Sequence, residues 1–298
     1  MEKGLVLAVH GDICTVEIGD GVFLCRVRKT LKRGAEGWTS AVAVGDTVEV
    51  ALQGEGGFIE SVGERRTLLR RRAAGTTPRM QPLAANADQL IAFTSTRSPK
   101  LNLRAADRLF CAAEDGGLSC ALIINKMDLA SPADFAGVVA DYARAGYRVV
   151  LVSAMDGTGL DEAEDLLRNK CSVLCGPSGA GKSTFLNRLE PGLDLKTAEV
   201  SLATSKGKHT TTAARMFALE RLGGRVIDTP GLREVGLCGV DQLSLAELFP
   251  EMRPHLDGCK LPRCTHSHEP HCAVKAAVDR GEVSAARYDS YLRILATL

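Results

Sequence analysis

The sequence has almost no net charge, no apolar run of membrane-spanning length, no internal repeat and no low-complexity tract. Its 37 Lys and Arg against 36 Asp and Glu leave a formal charge of +1. That balance excludes a uniformly basic or acidic chain, but local patches remain open, because fields act over patches rather than sums. One such patch is RRTLLRRR at 65–72, with five arginines and no acid. The missing apolar run excludes a transmembrane helix of about 20 residues. The opening MEKGLVLAVHGD also lacks the pattern of a secretory signal. A soluble, cytoplasmic protein with no membrane partner is expected. At 298 residues with 45% hydrophobic content, the chain has room for two or three cores.

The ten cysteines fall into two populations. Cys14, Cys25, Cys111, Cys120, Cys171, Cys175 and Cys238 are scattered, mostly through apolar stretches, where a free thiol behaves as a small hydrophobe. Cys259, Cys264 and Cys272 crowd together with histidines, which in a cytosolic chain points to metal rather than disulfides.

Three textures follow one another along the chain. Up to about residue 64, the segments GLVLAVHGD, ICTVEIGDGVFLCRVR, AVGDTVEVAL and GGFIESV predict the short strands of a small barrel or sandwich. RRAAGTTPRMQPLAANAD then has no clean period and carries Gly and Pro, so it is expected to be a linker. Over 89–236 the apolar runs LIAFTST, CALIINK, YRVVLVSA, CSVLCG and RVIDTPG alternate with helical stretches at 103–115, 133–146 and 160–169. That alternation predicts a mostly parallel sheet covered on both faces. In the closing stretch Ser284 is expected to cap a helix with Tyr288, Tyr291, Leu292 and Leu295 along one side.

Gly176-Pro177-Ser178-Gly179-Ala180-Gly181-Lys182-Ser183, followed by Thr184, fits the P-loop pattern between a predicted strand and a predicted helix. Its glycines let backbone N–H groups turn inward around phosphate, and the helix adds its positive end. Lys182 is expected at the β- and γ-phosphates and the Ser183 hydroxyl at Mg²⁺. A P-loop does not choose its base. Asn125-Lys126-Met127-Asp128, closing CALIINK, makes the choice, because a carboxylate at Asp128 accepts both the N1–H and the exocyclic amine of guanine. Asn125 is expected to reinforce that contact, with the Lys126 stem along the ring and the backbone at Ser153 and Ala154 against O6. Asp228-Thr-Pro-Gly231 completes the set: Asp228 toward the magnesium shell, and the Gly231 N–H toward the γ-phosphate. GKHTTT at 207–212 offers hydroxyls to Mg²⁺, with Thr211 preferred and Thr210 second, although standing alone it reads more readily as a β-prone polar run.

The order of these parts is unusual. NKMD precedes the P-loop, whereas an ordinary GTPase begins with the P-loop. Rejoining the old ends and opening a new break preserves every spatial contact when the old termini lie close together. Here the chain resembles the circularly permuted GTPases, and specifically the ribosome small-subunit-dependent GTPase family (RsgA). The resemblance runs through CRVRKTLK, GDTVEV and IESVGERRTLL, the permuted core and the terminal cysteine cluster. It implies an N-terminal all-β OB-fold barrel that binds RNA over 1–66, a linker over 67–88, a central α/β P-loop GTPase domain over 89–236, and a C-terminal, mainly helical zinc-binding domain over 237–298.

Leu232 stands where many GTPases carry a water-orienting glutamine, so slow intrinsic turnover is expected. The resemblance points instead to His209, as a catalytic group or as one that merely positions its loop. With Lys182 and Thr211 it forms the expected catalytic set. The spacing of Cys259, Cys264, His266 and Cys272 departs from the usual finger, but the resemblance implies that they hold one structural Zn²⁺. His268 and His271 remain spare, as alternative ligands or as surface contacts to RNA. The implied partners are GTP and GDP, the small ribosomal subunit and its 16S rRNA, with the chain a monomer. The implied role is a GTP hydrolase of late 30S maturation that releases assembly factors. The alternative is an rRNA-binding scaffold using GTP only as a conformational ligand. CRVRKTLKR and RRTLLRRR are read either as phosphate contacts or as ordinary solvated surface.

Overall fold

The computed structural model describes residues 1–73, 79–193, 195, 214–229 and 236–298. Alternating burial makes the first strands two-faced: β1 (Glu2–His10), β2 (Ile13–Ile18), β3 (Gly21–Val27), β4 (Thr47–Gln53) and β5 (Gly56–Val62). Val6, Cys14, Val16, Cys25, Val48, Val50 and Ile59 turn inward to one small core. The strand order β1-β2-β3-β5-β4 closes because β4 pairs back onto β1, with β3 running parallel to β5. Closure removes the exposed edges and leaves a five-stranded OB-like barrel. Helix α1 (Lys29–Gly34) sits between β3 and β4.

The expected linker contains paired structure. β6 (Leu68–Arg72) and β7 (Met80–Ala85) form an antiparallel pair, with Leu69, Leu83, Ala84 and Ala85 buried. β7 also bridges to the barrel through Trp38–Met80 and Val44–Ala84. These strands escaped the periodicity because each is short, Pro82 interrupts one of them, and the pairing shifts register between Leu69 and Arg70. Four of the five arginines of RRTLLRRR have side-chain partners, while Arg66 and Arg72 stay exposed to solvent. Arg65 pairs with Asp46 at 2.7 Å, Arg66 with Asp88 at 2.7 Å and Arg70 with Asp115 at 3.0 Å, while Arg71 donates to Gln81 at 2.9 Å. Acids distant in sequence answer three of the five charges.

The central sheet comprises β8 (Gln89–Ser95), β9 (Ser119–Asn125), β10 (Arg148–Leu151), β11 (Cys171–Cys175), β12 (Arg215–Leu219) and β13 (Gly224–Asp228). Its order is β10-β9-β8-β11-β13-β12, parallel except for β12, which pairs antiparallel to β13. α2 (Leu103–Asp115) and α3 (Ala136–Arg144) cover one face through Leu109, Phe110 and Tyr142. α4 (Leu160–Leu167) and α5 (Lys182–Leu189) cover the other through Leu166, Phe185 and Leu186. The strand leading to the P-loop is therefore central in space although it comes late in the chain. β1 of the barrel joins the sheet edge at Ala8–Arg215.

The C-terminal region folds around Leu245, Phe249, Met252, Val274, Tyr291 and Ile294. It contains α6 (Ala273–Asp279) and α7 (Ala285–Leu295), and Ser284 caps α7 by accepting from the Arg287 N–H. Among the described residues, no helix is long and apolar enough to cross a membrane.

Candidate functional site

The P-loop turn depends on glycine at two positions. A Cβ on Gly176 would lie 1.9 Å from the Phe93 carbonyl oxygen. Gly181 has φ +94°, and a Cβ there would meet the Asn125 side chain at 2.4 Å. The loop thus wraps closely over β8 and β9 before α5 begins at Lys182. Ser178 and Gly179 are exposed, Ala180 is buried, and Ser183 and Thr184 are half-buried at the helix start. Lys182 Nζ donates to the carbonyls of Gly176 at 2.7 Å and Pro177 at 3.2 Å, crossing the loop.

At the end of β13, burial pushes the Asp228 carboxyl above its ordinary range, against the opposing pull of Lys182. Burial likewise pushes Lys182 below its ordinary range, against the pull of Asp228. For both groups desolvation outweighs their mutual attraction. Asp228 Oδ1 is buried with no hydrogen-bond partner among the described residues. A buried carboxylate oxygen without a donor is suited to a hard cation, and the Ser183 hydroxyl stands at the neighbouring helix start. The donor set fits Mg²⁺ carried in on a triphosphate. Below the loop, Thr229 Oγ1 lies 3.1 Å from Cys175 Sγ and donates to the Leu174 carbonyl at 3.2 Å. Burial lifts the Cys175 thiol to about 12, so it is a packing group rather than a nucleophile.

The structure brings NKMD and the Ser153–Ala154 turn against this loop. Asn125 is 2% exposed and fully engaged: Nδ2 donates to the Ala180 carbonyl at 2.9 Å, and Oδ1 accepts from the Ala154 N–H at 3.1 Å. Its amide ties three segments together, at the position expected to reinforce a base contact. Periodicity gives no sign of that, because the partners lie 55 and 29 residues away. Lys126, in the left-handed region, donates to the carbonyls of Ser98 and Gly179. Asp128 is exposed and accepts from Ser153 Oγ at 2.8 Å, which fixes its orientation while leaving it open to a ligand. His209, Thr210, Thr211, Gly231 and Leu232 lie outside the described residues.

The second cluster gathers Cys259, Cys264, His266 and Cys272, whose ligand atoms all lie within 4.8 Å of one another. Cys259 Sγ is 3.9 Å from Cys272 Sγ, and His266 Nδ1 is 3.4 Å from each of these two sulfurs. A tetrahedral ion with Zn–S bonds of about 2.3 Å needs S···S separations near this value. Three thiols and one imidazole at this spacing fit a closed Zn²⁺ site. The backbone is braced from α7: Tyr288 Oη donates to the His266 carbonyl and Tyr291 Oη to that of Thr265, each at 2.6 Å. The Glu269 carboxylate accepts from the Thr265 hydroxyl and from the N–H groups of Thr265 and Ser267, which hold it down at about 2 against its desolvation. His268 and His271 are not part of the cluster.

Two features carry little local sequence signal. The loop before α2 touches Lys126 through Ser98. Arg287 is buried between Asp107 and Glu251. An arginine on the side of α7 that carries Tyr291 and Ile294 was the available clue.

A family model described as RsgA GTPase matches residues 62–238. The chain is 41% identical over 295 residues to a protein of Gemmatimonas aurantiaca named Small ribosomal subunit biogenesis GTPase RsgA, covering 98% of this chain and 95% of that one. It is 40% identical over 310 residues to the Chlorobaculum parvum protein of the same name, covering 99% and 98%. Among solved structures, YjeQ from Thermotoga maritima superposes with a TM-score of 0.77 at 31% identity, covering 100% of this chain and 98% of that one. YloQ, described as a circularly permuted GTPase, gives 0.73 at 26% identity, covering 100% and 94%. Likeness over nearly the whole length, together with a sheet whose central P-loop strand follows its base-side strands in the chain, makes this protein a GTPase of the RsgA family.

Proposed function

We propose that this GTPase is switched on by the small ribosomal subunit, acts late in 30S maturation, and releases assembly factors as it turns over. One observation carries the reading of the site: Asn125 binds the P-loop and the Ser153–Ala154 turn at once, so base and phosphate subsites sit at a fixed span for one nucleotide. Guanine selection falls to Asp128, with Lys126 alongside and the Ser153–Ala154 backbone at O6. Gly176, Ser178, Gly179, Ala180, Gly181, Lys182, Ser183 and Thr184 cradle the phosphates. Asp228 serves the γ-phosphate side, and Gly231 would contribute its N–H there. Ser183, Asp228 and Thr211 would hold Mg²⁺, which when bound neutralises charge on the phosphates. His209 orients the attacking water, since Leu232 has no hydrogen-bonding group to do so.

The partner reading draws on the names of the relatives, which are called small ribosomal subunit biogenesis GTPases. The OB-like barrel is the expected rRNA face, with Arg26, Lys29 and Arg33 on or beside β3 and α1. The C-terminal domain supplies the second contact to 16S rRNA, and Cys259, Cys264, His266 and Cys272 would hold its Zn²⁺. The protein works as a cytoplasmic monomer.

The test is GTP turnover with and without purified small subunits, for the wild type and His209→Ala. Strong stimulation of the wild type, lost in His209→Ala with GTP affinity retained, is expected. Unstimulated wild-type turnover would leave only an rRNA-binding scaffold that uses GTP as a conformational ligand.

A further inference from the structure

We propose that helix α2 couples the guanine subsite to the C-terminal module, with Arg287 as the joint. The proposal rests on reading Asn125–Asp128 as that subsite, and it adds a direction: the module follows the base side of the nucleotide through a helix.

The first link is the loop that leads into α2. The Thr96 N–H donates to the Asn125 carbonyl at 3.0 Å, and Thr96 Oγ1 donates to the Lys126 carbonyl at 2.9 Å. Lys126 Nζ reaches back to the Ser98 carbonyl, on the same loop, and to Gly179 of the P-loop. Ser95 Oγ then donates to the Pro99 carbonyl at 3.0 Å, and Asn102 caps α2 by accepting from the Ala105 N–H at 3.2 Å. A base that displaces or locks Lys126 acts on Ser98, a few residues before the helix cap.

The second link is one stripe of α2. Arg104, Asp107, Arg108, Cys111 and Glu114 recur at helical spacing, and each meets the C-terminal region. Arg104 pairs with Asp289 at 3.1 Å, Arg108 donates to Thr297 at 3.0 Å and Glu114 pairs with Arg253 at 2.7 Å. Cys111 packs into the core of the C-terminal module with Leu245, Phe249 and Tyr291. The opposite side of α2 packs on the central sheet through Ala106, Leu109, Phe110 and Ala113.

Arg287 closes the connection. Its guanidinium lies 2.5 Å from Asp107 and 2.8 Å from Glu251, with all three side chains nearly inaccessible to solvent. Tyr142 Oη donates to Asp107 at 2.6 Å, and the Phe249 ring lies 4.8 Å from the guanidinium. A buried ion cluster of this kind adds little net stability, but any slip of register strands a charge, so it fixes one arrangement of its neighbours. α2 and the module therefore move as one body, and coupling between two sites is reciprocal.

The test is amide hydrogen exchange on the full-length, zinc-loaded chain, comparing no ligand, Mg-GDP, and Mg-pyrophosphate at concentrations that protect the P-loop equally. GDP is expected to slow exchange in α7 by about fivefold or more, the lower range of allosteric couplings, and pyrophosphate to leave α7 unchanged. In Arg287→Met, GDP is expected to protect 125–128 as before and α7 no longer. Should that variant lose its zinc or its fold, Arg287→Lys replaces it, keeping the charge without the two-sided fork. Equal protection of α7 by pyrophosphate, or undiminished protection in the variant, overturns the proposal. So does GDP protection of 125–128 without α7, which leaves the guanine subsite standing. If GDP fails to protect 125–128 at all, the subsite reading falls first and this proposal with it.

Discussion

Asn125 Nδ2 donates to the Ala180 carbonyl across 2.9 Å, joining the end of β9 to the crest of the P-loop. The same amide accepts from the Ala154 N–H, so one side chain sets the spacing between three loops. Asn125→Ala leaves a buried carbonyl and a buried N–H unpaired. We expect GTP and GDP affinity to fall together by about 10- to 100-fold, the effect of losing buried hydrogen bonds. Titration with a fluorescent guanine nucleotide measures both, and a loss confined to GTP would contradict this account.

Asp128 is held by Ser153 and open to solvent. Asp128→Asn replaces an acceptor with a donor at the position proposed to meet guanine's exocyclic amine. GTP binding should weaken by about 100-fold or more, as in sites that lose a required hydrogen bond. Xanthosine triphosphate, which presents a carbonyl there, should gain. Competition between the two nucleotides is the measurement, and unchanged preference for GTP would remove Asp128 from base selection.

Asp228 is held in a desolvated position, and burial raises its carboxyl above the ordinary value. A raised folded-state value means that the fold bears a cost while the group is ionised, and that the cost disappears below the unfolded value. Asp228→Asn should therefore raise the melting temperature of the nucleotide-free protein at pH 7, with the gain vanishing in acid. Mg-GTP binding should weaken in the same variant. Thermal melts across pH, with and without Mg-GTP, read both effects; a lower nucleotide-free melting temperature at pH 7 would contradict the sign.

The cluster of Cys259, Cys264, His266 and Cys272 predicts one Zn²⁺ per chain. Structural zinc binding is worth about 10–16 kcal/mol in finger peptides, much of it folding energy. Cys272→Ser should lose the metal and loosen α6 and α7, whose core includes Cys264 and Cys272. Elemental analysis with circular dichroism before and after chelation tests this. A metal-free protein with the same melting curve would argue against a structural role.

Local chemistry was legible wherever it is written in adjacent residues. The P-loop, NKMD and Asp228 each lie at a strand end with a fixed local pattern, and α2 at Leu103–Asp115 follows its hydrophobic period without adjustment. β12, at Arg215–Leu219, went unseen because it is an antiparallel strand with weak alternation. β6 and β7 were hidden by brevity, Pro82 and a register shift. Three arginines of the run at 65–72 pair with Asp46, Asp88 and Asp115, which come from three other places in the chain and give no local signal.

By itself the sequence determined which groups are present and in what order: the glycines that allow the phosphate turn, the carboxylates, the thiols, and the permutation that sets NKMD ahead of the P-loop. Only the tertiary structure decided what each group answers to. It turned the Asn125 amide inward, left Asp228 Oδ1 without a donor, and buried Arg287 between two acids. Local conformation follows from near neighbours in the chain. Desolvation and long-range pairing depend on residues that only folding brings within a few ångströms.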